Sequence, residues 1–390
     1  MMRPFLIIML LFMAAACGGK KSLVNVNVQP APVTTASEGF FYFLPRTVVA
    51  VDVEVTRTVH QPGPFAQYAE NLLGLKQVIR TPSVDFSISG ITIQSYAEPD
   101  PDHIYFVAFD QQNSHMFLTL SEAGLIQSVN TTFDSDGFMK GLDDSKEYGY
   151  FGTEATFNYF IDINLQERID TIMERVRMDT ITVERQRLQR SWVEKSTDVR
   201  AKEVAEYILK IRDEKFNLIS GFAEITYSKE AIAYMYEEMI NKENDYLSLF
   251  TGISSESTIR HRYTYIPDRS RPDTPTTLFH FSVREGVMTD SGPGSIPVSI
   301  HAKRNPSADI MRNKIQRMQT DRPARKGFFY RVPDYSNIII TEGNRPRAEA
   351  RMLISQYGVV TSLPPHMMEI EYYPNTGSIK SVGRTFYQED

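Results

Sequence analysis

The chain has 390 residues and a formal net charge of −6, so it lacks the strongly basic character expected of a general nucleic-acid-binding protein. Hydrophobic residues make up 42% of the chain, which is enough to bury a core and excludes a wholly disordered protein. A chain of this length is expected to form one large domain or two ordinary ones.

Residues 1–17 have the organisation of a bacterial export signal. Arg3 supplies a positive charge, and the apolar run over 4–13 is too short to span a bilayer as a helix. The small residues 14–16 followed by Cys17 resemble the site at which bacterial lipoproteins are cleaved and acylated, although Leu is commoner at position 14. This resemblance implies that Cys17 carries lipid. The alternative is an ordinary secretory signal with an incidental cysteine.

Cys17 is the only cysteine, so the chain can form no internal disulfide, and beyond this position it has no thiol nucleophile and no cysteine-based metal site. Residues 18–38 are rich in Pro, Thr, Ala and Ser towards their end and predict a flexible tether.

Residues 39–160 predict an N-terminal β module with one short helix. Apolar and polar residues alternate over 49–59, which indicates a long half-buried strand. Pro64 suits the start of a short helix that Gly74 ends. In the next strand the apolar residues change from even-numbered to odd-numbered positions at Gly90, which predicts a bulge there.

Residues 161–257 predict an extended arm followed by a helical hairpin. Arg168–Trp192 is ambiguous, because part of it has strand-like alternation while Leu188 and Trp192 have helical spacing. The segment carries six arginines, at 168, 175, 177, 185, 187 and 190. We interpret them as a solvated face; the alternative is a basic patch for an anionic envelope component.

The second helix of the hairpin is the clearest periodic signal in the chain. Ser228 is its predicted N-cap and Gly252 its C-terminal stop. Glu243 interrupts the apolar stripe, where a carboxylate is costly unless it is paired. We expect a buried ion pair with Arg212 or Lys215 on the first helix; the alternative is a functional acid.

Residues 258–390 predict a second β-rich module. Gly39–Pro45 and Gly327–Pro333 are similar, and in both halves a valine-rich or isoleucine-rich strand and a later glycine turn follow. The predicted fold is therefore α+β, with a β-rich body of antiparallel strands in two related sandwich-like modules and a central two-helix hairpin insert. The alternative is that aromatic strand openings and turn glycines recur by chance.

The sequence contains no catalytic constellation, metal site or cofactor motif that we can assign, so we expect no cofactor. Asp134, Asp136 and Asp143 form a weak calcium candidate, which lacks the terminal Glu and the flanking helices of a helix–loop–helix site. Asp100 and Asp102 are interpreted as part of a solvated turn.

Several segments resemble a family of Bacteroides-type envelope proteins known as domain of unknown function 4831. They are Gly39–Pro45, Pro62–Ala69, Ile208–Arg212 with Ser220 and Gly221, Leu247–Gly252 and the final β module. The resemblance covers most of the chain after the tether. It implies a Gram-negative cell envelope and carries no established activity or catalytic residue. In Bacteroides-type lipoproteins, acidic residues just after the cysteine are associated with surface export. Here Lys20 and Lys21 follow Cys17, so the resemblance favours a protein anchored in the outer membrane and facing the periplasm.

Two hypotheses for the function follow. The first is a lipid-anchored, non-enzymatic binding or scaffolding protein that contacts the membrane through lipid at Cys17 and binds an envelope protein or glycan, with no nucleic-acid partner. The second is an envelope hydrolase in which histidine and the carboxylates of Asp100–Asp102 and Asp134–Asp144 converge.

Overall fold

The computed structural model describes residues 27–30, 38–108, 117–131, 149–151, 156–157, 165–178, 181–220, 228–320, 327–363 and 368–384. Over these residues the chain forms three antiparallel sheets, a separate two-stranded ribbon and four α-helices. The predicted fold class, a β-rich α+β protein with a central helical hairpin, is confirmed.

The strands in chain order are β1 (Asn27–Pro30), β2 (Gly39–Gln61), β3 (Ser83–Ala108), β4 (Leu118–Leu120), β5 (Ile126–Val129), β6 (Gly149–Phe151), β7 (Leu165–Met178), β8 (Ile181–Glu194), β9 (Ile253–Tyr265), β10 (Thr276–Ser282), β11 (Gly286–Met288), β12 (Ile296–Arg304), β13 (Phe328–Glu342), β14 (Arg345–Leu363), β15 (Met368–Tyr373) and β16 (Ser378–Arg384). The helices are α1 (Ala69–Leu73), α2 (Thr197–Ser220), α3 (Lys229–Thr251) and α4 (Pro306–Thr320).

Two five-stranded sheets pack face to face around the main core. The first has the strand order β1-β3-β2-β9-β6, and the second has the order β11-β10-β12-β13-β14. The core side chains come from central strands of both sheets: Val49, Val51, Val53, Val55, Phe279, Phe281, Val298, Ile300, Ile338 and Ile340. Such a sandwich lets each strand turn its apolar side chains inward and its polar ones outward.

The strand β2 follows the alternation that the sequence predicts. The odd-numbered residues of Val49–Val55 are buried in the core. On the other face, Asp52 accepts two hydrogen bonds from Arg262 of β9, at 2.7 and 3.1 Å. The predicted bulge is present, since the pairing of β2 with β3 shifts register beside Gly90.

The third sheet, of order β16-β15-β5-β4, combines strands from both sides of the insert. Ile370 of β15 lies opposite Val129 of β5. Similarly, β9 follows the insert in the chain, but every residue of β9 pairs with a residue of β2. The predicted domain boundaries at 39–160, 161–257 and 258–390 stay predictions. Strands from 39–160 share a sheet with strands from 258–390.

The two glycine-aromatic segments begin similar hairpins. Gly39–Pro45 lies at the start of the β2–β3 hairpin, and Gly327–Pro333 leads into the β13–β14 hairpin. In each hairpin one residue of the first strand is opposed by four of the second. Leu44 faces residues 100–103, and Pro333 faces residues 355–358.

In each half, the first strand of the hairpin also donates a hydrogen bond to a glycine turn that follows later in the chain. The Phe43 amide donates to the Gly124 carbonyl at 3.0 Å, and the Arg331 amide donates to the Gly377 carbonyl at 2.8 Å. Phe43 and Arg331 hold the same place in the two similar segments. The structure therefore agrees with two β modules of like topology.

The predicted tether includes a short strand of the body. Asn27–Pro30 pairs with β3 at the edge of the first sheet, and Val28 is buried there. This part of the segment is therefore bound rather than free. Residues 18–26 and 31–37 lie outside the described residues.

Candidate interaction surface

The arginine-rich segment forms a ribbon of two strands. Its pairing runs from Leu165 opposite Glu194 to Met178 opposite Ile181. The sequence left this segment ambiguous between strand and helix, and the structure makes it two strands, β7 and β8. Among the strands that the structure describes, β7 and β8 pair only with each other.

One face of the ribbon carries a row of uncovered apolar side chains. Side chains alternate between the faces of a strand, and directly opposed residues share a face. The odd-numbered residues of β7 therefore share a face with the even-numbered residues of β8. That face contains five large apolar side chains, each between 47% and 68% exposed: Leu165, Ile169, Met173, Leu188 and Trp192. The register also places charged side chains on it, among them the ion pairs Arg175–Glu184 and Arg190–Glu167. We call the five apolar side chains together the apolar face of the ribbon.

The charges of the ribbon are balanced. Three ion pairs lie on its surface: Arg168 with Asp170 at 2.9 Å, Arg175 with Glu184 at 2.9 Å, and Arg190 with Glu167 at 3.5 Å. Six arginines and six acidic residues occur over 165–194, so their charges sum to zero. This balance agrees with a solvated face and gives no support to a basic patch for an anionic partner.

The helical hairpin is packed at its base and uncovered at its far end. The first turns of α2 pack with the end of α3 and with the short helical segment that follows β2; the buried side chains are Phe65, Ala69, Ala201, Val204, Ala205, Ile208, Leu249 and Phe250. Further along, Phe216 and Ile219 of α2 and Tyr234 of α3 are each about two-thirds exposed, at 67%, 65% and 67%. The hairpin thus adds a second uncovered apolar surface to the insert.

The predicted capping residues position α3. The Ser228 hydroxyl accepts a hydrogen bond from the Ala231 amide at 3.2 Å, which satisfies a free donor of the first turn. Gly252 ends the helix with a φ of 86°, a conformation that glycine adopts readily.

Glu243 of α3 pairs with both of the bases that the sequence predicts, Arg212 and Lys215. The Arg212 guanidinium donates to one carboxylate oxygen at 2.7 Å, and the Lys215 ammonium donates to the other. Burial alone would raise the pKa of Glu243, but the hydrogen bonds and charges of Lys215 and Arg212 outweigh it and lower the pKa. A carboxylate held ionised between two bases is suited to fixing the two helices together rather than to giving up a proton.

A second buried ion pair joins the two halves of the body. Arg331 of β13 is 1% exposed, and its guanidinium donates to the Pro45 carbonyl and to the Asp100 carboxylate, both at 2.8 Å. His103 Nδ1 lies 3.0 Å from the same Asp100 oxygen. Burial alone would raise the pKa of Asp100, but the hydrogen bonds from His103 and Arg331 and the charge of Arg331 hold it well below its usual range.

The interpretation of Asp100 as part of a solvated turn is wrong. Asp100 is only 5% exposed, because the four-residue bulge of β3 turns it inward towards Arg331. One signal could have indicated this contact. The segment Gly327–Pro333 has Arg331 at the position where the similar segment Gly39–Pro45 has Phe43. A charged residue at an aromatic position is expected to need a buried partner.

A cleft of about 400 Å³ lies beside the start of α4. Its lining includes Lys303, Arg304, Asn337, Glu349 and Arg351. Neither Asp100 nor His103 lines it, so the acidic and histidine candidates from the sequence do not converge there.

The other predicted sites lie outside the described residues. These are the lipidation site Cys17 and the calcium candidate Asp134, Asp136 and Asp143. Within the described ranges, no group of three or more His, Cys, Asp or Glu side chains could hold a metal ion. No helix in those ranges is both long and apolar enough to cross a membrane.

The fold and the insert define a β-rich α+β protein whose ribbon and helical hairpin leave apolar surface uncovered. The chain belongs to the family described as a domain of unknown function (DUF4831), whose model matches residues 38–150 and 161–380. This match confirms the resemblance to domain of unknown function 4831 found in the sequence. No curated protein matches the chain. No solved structure matches it either.

Proposed function

We propose that this protein is a lipid-anchored, non-enzymatic binding or scaffolding protein of the cell envelope that faces the periplasm and binds its partners through the insert at 161–257. The observation that carries the proposal is the apolar face of the ribbon. Its five side chains leave on the order of 500 Å² uncovered, a size at which exposed apolar patches commonly mark interaction sites. The uncovered end of the helical hairpin is a second apolar surface of the insert.

The anchoring part of the proposal is supported by the start of the chain. Cys17 follows a short apolar signal, and nine residues (18–26) separate it from the first strand of the body. A fully extended segment of that length reaches roughly 30 Å. Lipid at Cys17 would therefore hold the body close to the membrane, where envelope partners are concentrated.

No observation favours the alternative of an envelope hydrolase. The Asp100 carboxylate is already bound by Arg331, His103 and the Asp102 amide. A carboxylate used in this way locks two segments together and is poorly placed for acid–base chemistry.

The test compares complexes formed in intact cells that express the full-length chain. Cells are treated with an amine-reactive cross-linker, and the sizes of the complexes containing the chain are compared by immunoblot. We expect wild type to form a defined larger complex, and a Leu188→Ser/Trp192→Ser variant to lose it.

The matched control, Ile172→Ser/Val193→Ser, changes the opposite face of the same ribbon and should retain the complex. Identical complexes in all three strains would contradict binding through the apolar face. Equal amounts of folded protein in the three strains, checked by limited proteolysis, exclude an effect on folding.

A further inference from the structure

The cleft of about 400 Å³ beside the start of α4 lies on the outward face of the second sheet. Lys303 of β12 lies opposite Asn337 of β13, and Asn337 lies opposite Arg351 of β14. Directly opposed residues share a face of a sheet, so the three side chains form one row across three strands. The next residue of β13, Ile338, points into the core, which places the row on the opposite, outer face. The volume of the cleft falls in the range of about 300–1,000 Å³ that small-molecule sites occupy.

Two positive charges of this row are available to a ligand. Neither the Lys303 ammonium nor the Arg351 guanidinium forms a hydrogen bond or an ion pair with a described residue. The Arg351 guanidinium carbon lies 4.8 Å from the centre of the Tyr335 ring, and this stacking orients it while its N–H groups stay available. The two strands that carry the charges flank β13, so their backbones are roughly 10 Å apart. An oxyanion above the middle of the row is therefore within reach of both side chains, and such charge-assisted hydrogen bonds are strong.

Arg304 also lines the cleft, but its guanidinium is already held elsewhere. The guanidinium carbon lies 4.3 Å from the centre of the ring of Tyr357, a core side chain, and one nitrogen donates to the Arg269 carbonyl at 3.0 Å. Among the described residues that line the cleft, Glu349 is the one acid. A ligand in the cleft therefore meets two positive charges and one negative charge.

Glu349 and Asn337 add hydrogen-bond acceptors to the row. The Asn337 amide donates to one Glu349 carboxylate oxygen at 3.0 Å, which orients both side chains. The other carboxylate oxygen and the Asn337 carbonyl oxygen can accept hydrogen bonds from ligand hydroxyls. Because Glu349 repels a ligand that is only anionic, the site favours one that also carries hydroxyl groups. Ile339 in the lining and Tyr335 beside it, which is 49% exposed, offer apolar surface to the ring of such a ligand.

We propose that this cleft binds a sugar that carries an oxyanion, either a carboxylate or a phosphate. Lys303 and Arg351 hold the oxyanion, and Glu349 and Asn337 hold hydroxyls of the ring. None of these residues belongs to the insert at 161–257. The site therefore adds a second binding activity that does not depend on binding through the ribbon, and the two proposals can fail separately.

The test uses the full-length chain, purified from membranes in detergent, and isothermal titration calorimetry. Two probes are acidic sugars that carry the oxyanion at the same carbon: glucuronate, and glucose phosphorylated at its primary hydroxyl. Glucose and inorganic phosphate each supply only one part of the ligand. Lys303→Gln/Arg351→Gln removes both charges of the row. The matched control, Lys210→Gln/Arg187→Gln, removes one lysine and one arginine at exposed positions of the insert.

We expect at least one acidic sugar to bind, and glucose and inorganic phosphate to bind at least about tenfold more weakly, because each lacks part of the contacts. Lys303→Gln/Arg351→Gln should lower the affinity for that sugar about tenfold or more, the loss expected for two charged donors. The control pair and the ribbon variant Leu188→Ser/Trp192→Ser should keep it.

No binding of either acidic sugar, or an equal loss in the control pair, would overturn the site. Glucose bound as tightly as the acidic sugars would overturn the role of the two charges, and inorganic phosphate bound as tightly would overturn the sugar as ligand. Thermal unfolding at the same temperature in all variants shows that a lower affinity does not come from a loss of folding.

Discussion

Arg331 and Asp100 are 231 residues apart in the chain, yet their side chains meet at 2.8 Å in the interior. Asp100 opens the four-residue bulge of β3, and Arg331 lies on β13. A counterpart contact joins Ser355, in the bulge of β14, to Thr47 of β2 at 3.1 Å. The bulge of each hairpin thus touches the first strand of the other, and these polar contacts fix the two halves of the body together.

Removing the Arg331 guanidinium should destabilise the body. Arg331→Met leaves the Asp100 carboxylate buried without its main cation, and breaking such a pair costs about 3–5 kcal/mol. Denaturant unfolding measures the loss. The double variant Arg331→Phe/Asp100→Ser should recover part of it, because neither charge then remains buried. An Arg331→Met variant as stable as wild type would show that the pair contributes nothing.

Acid should weaken the same contact. The folded chain holds the pKa of Asp100 below its ordinary value, so the unfolded chain binds more protons at low pH. The contribution is therefore complete above about pH 4 and is lost as the pH falls towards the lower folded pKa. The difference in unfolding free energy between wild type and Asp100→Asn should stay constant from about pH 7 to pH 5 and shrink below about pH 4. A difference that does not change in acid would argue against an ionised Asp100.

Two glycines provide a matched test of the junction between the modules. Gly377 and Gly294 have φ values of +68° and +74°, but only at Gly377 would an added Cβ meet a neighbour, Pro45 Cδ at 2.7 Å. Gly294→Ala should cost about 1–2 kcal/mol from its left-handed backbone alone. Gly377→Ala should cost more, because it adds the contact with Pro45. Equal losses in urea unfolding would mean that Pro45 does not approach this turn so closely.

The ion pair in the helical hairpin should behave as a structural pair. Changing Arg212 and Lys215 together to Met leaves the Glu243 carboxylate uncompensated and should cost about 3 kcal/mol. Glu243→Leu should be neutral or stabilising, since a leucine suits the apolar stripe and both bases can turn towards water. Thermal unfolding measures both variants, with the exposed Lys210→Met as control. A stable double variant together with a destabilised Glu243→Leu would refute this assignment.

Local signals were sufficient to predict much of the secondary structure and the ion pair candidate on α3. The alternation over Val49–Val55 indicates which side chains enter the core, and Ser228 and Gly252 mark the ends of α3. Glu243 could be singled out because a carboxylate breaks an otherwise apolar stripe. Each of these signals lies within a single helix or strand, so it can be recognised from the sequence alone.

Other features depend on contacts that no local pattern displays. The partner of Asp100 lies 231 residues away, so its burial could not be read from the polar residues around it. The ribbon was ambiguous because Leu188 and Trp192 are four residues apart, a spacing that places two side chains on one side of either a helix or a strand. The strand β9 joins the first sheet across the whole insert, a pairing that depends on long-range packing.

The location of a Cys17 variant tests the proposed lipid anchor most directly. The proposed attachment is through lipid at Cys17, which follows the short apolar signal at the start of the chain. Buried acyl chains contribute about 0.8 kcal/mol per methylene, and stable anchoring needs more than one chain. Wild type and Cys17→Ser are expressed in parallel, the cells are fractionated, and intact cells are treated with protease. We expect wild type to stay with the membranes and resist digestion, and exported Cys17→Ser to be soluble. A variant that remains in the membranes would refute the anchor, and wild type digested from intact cells would refute the periplasmic side.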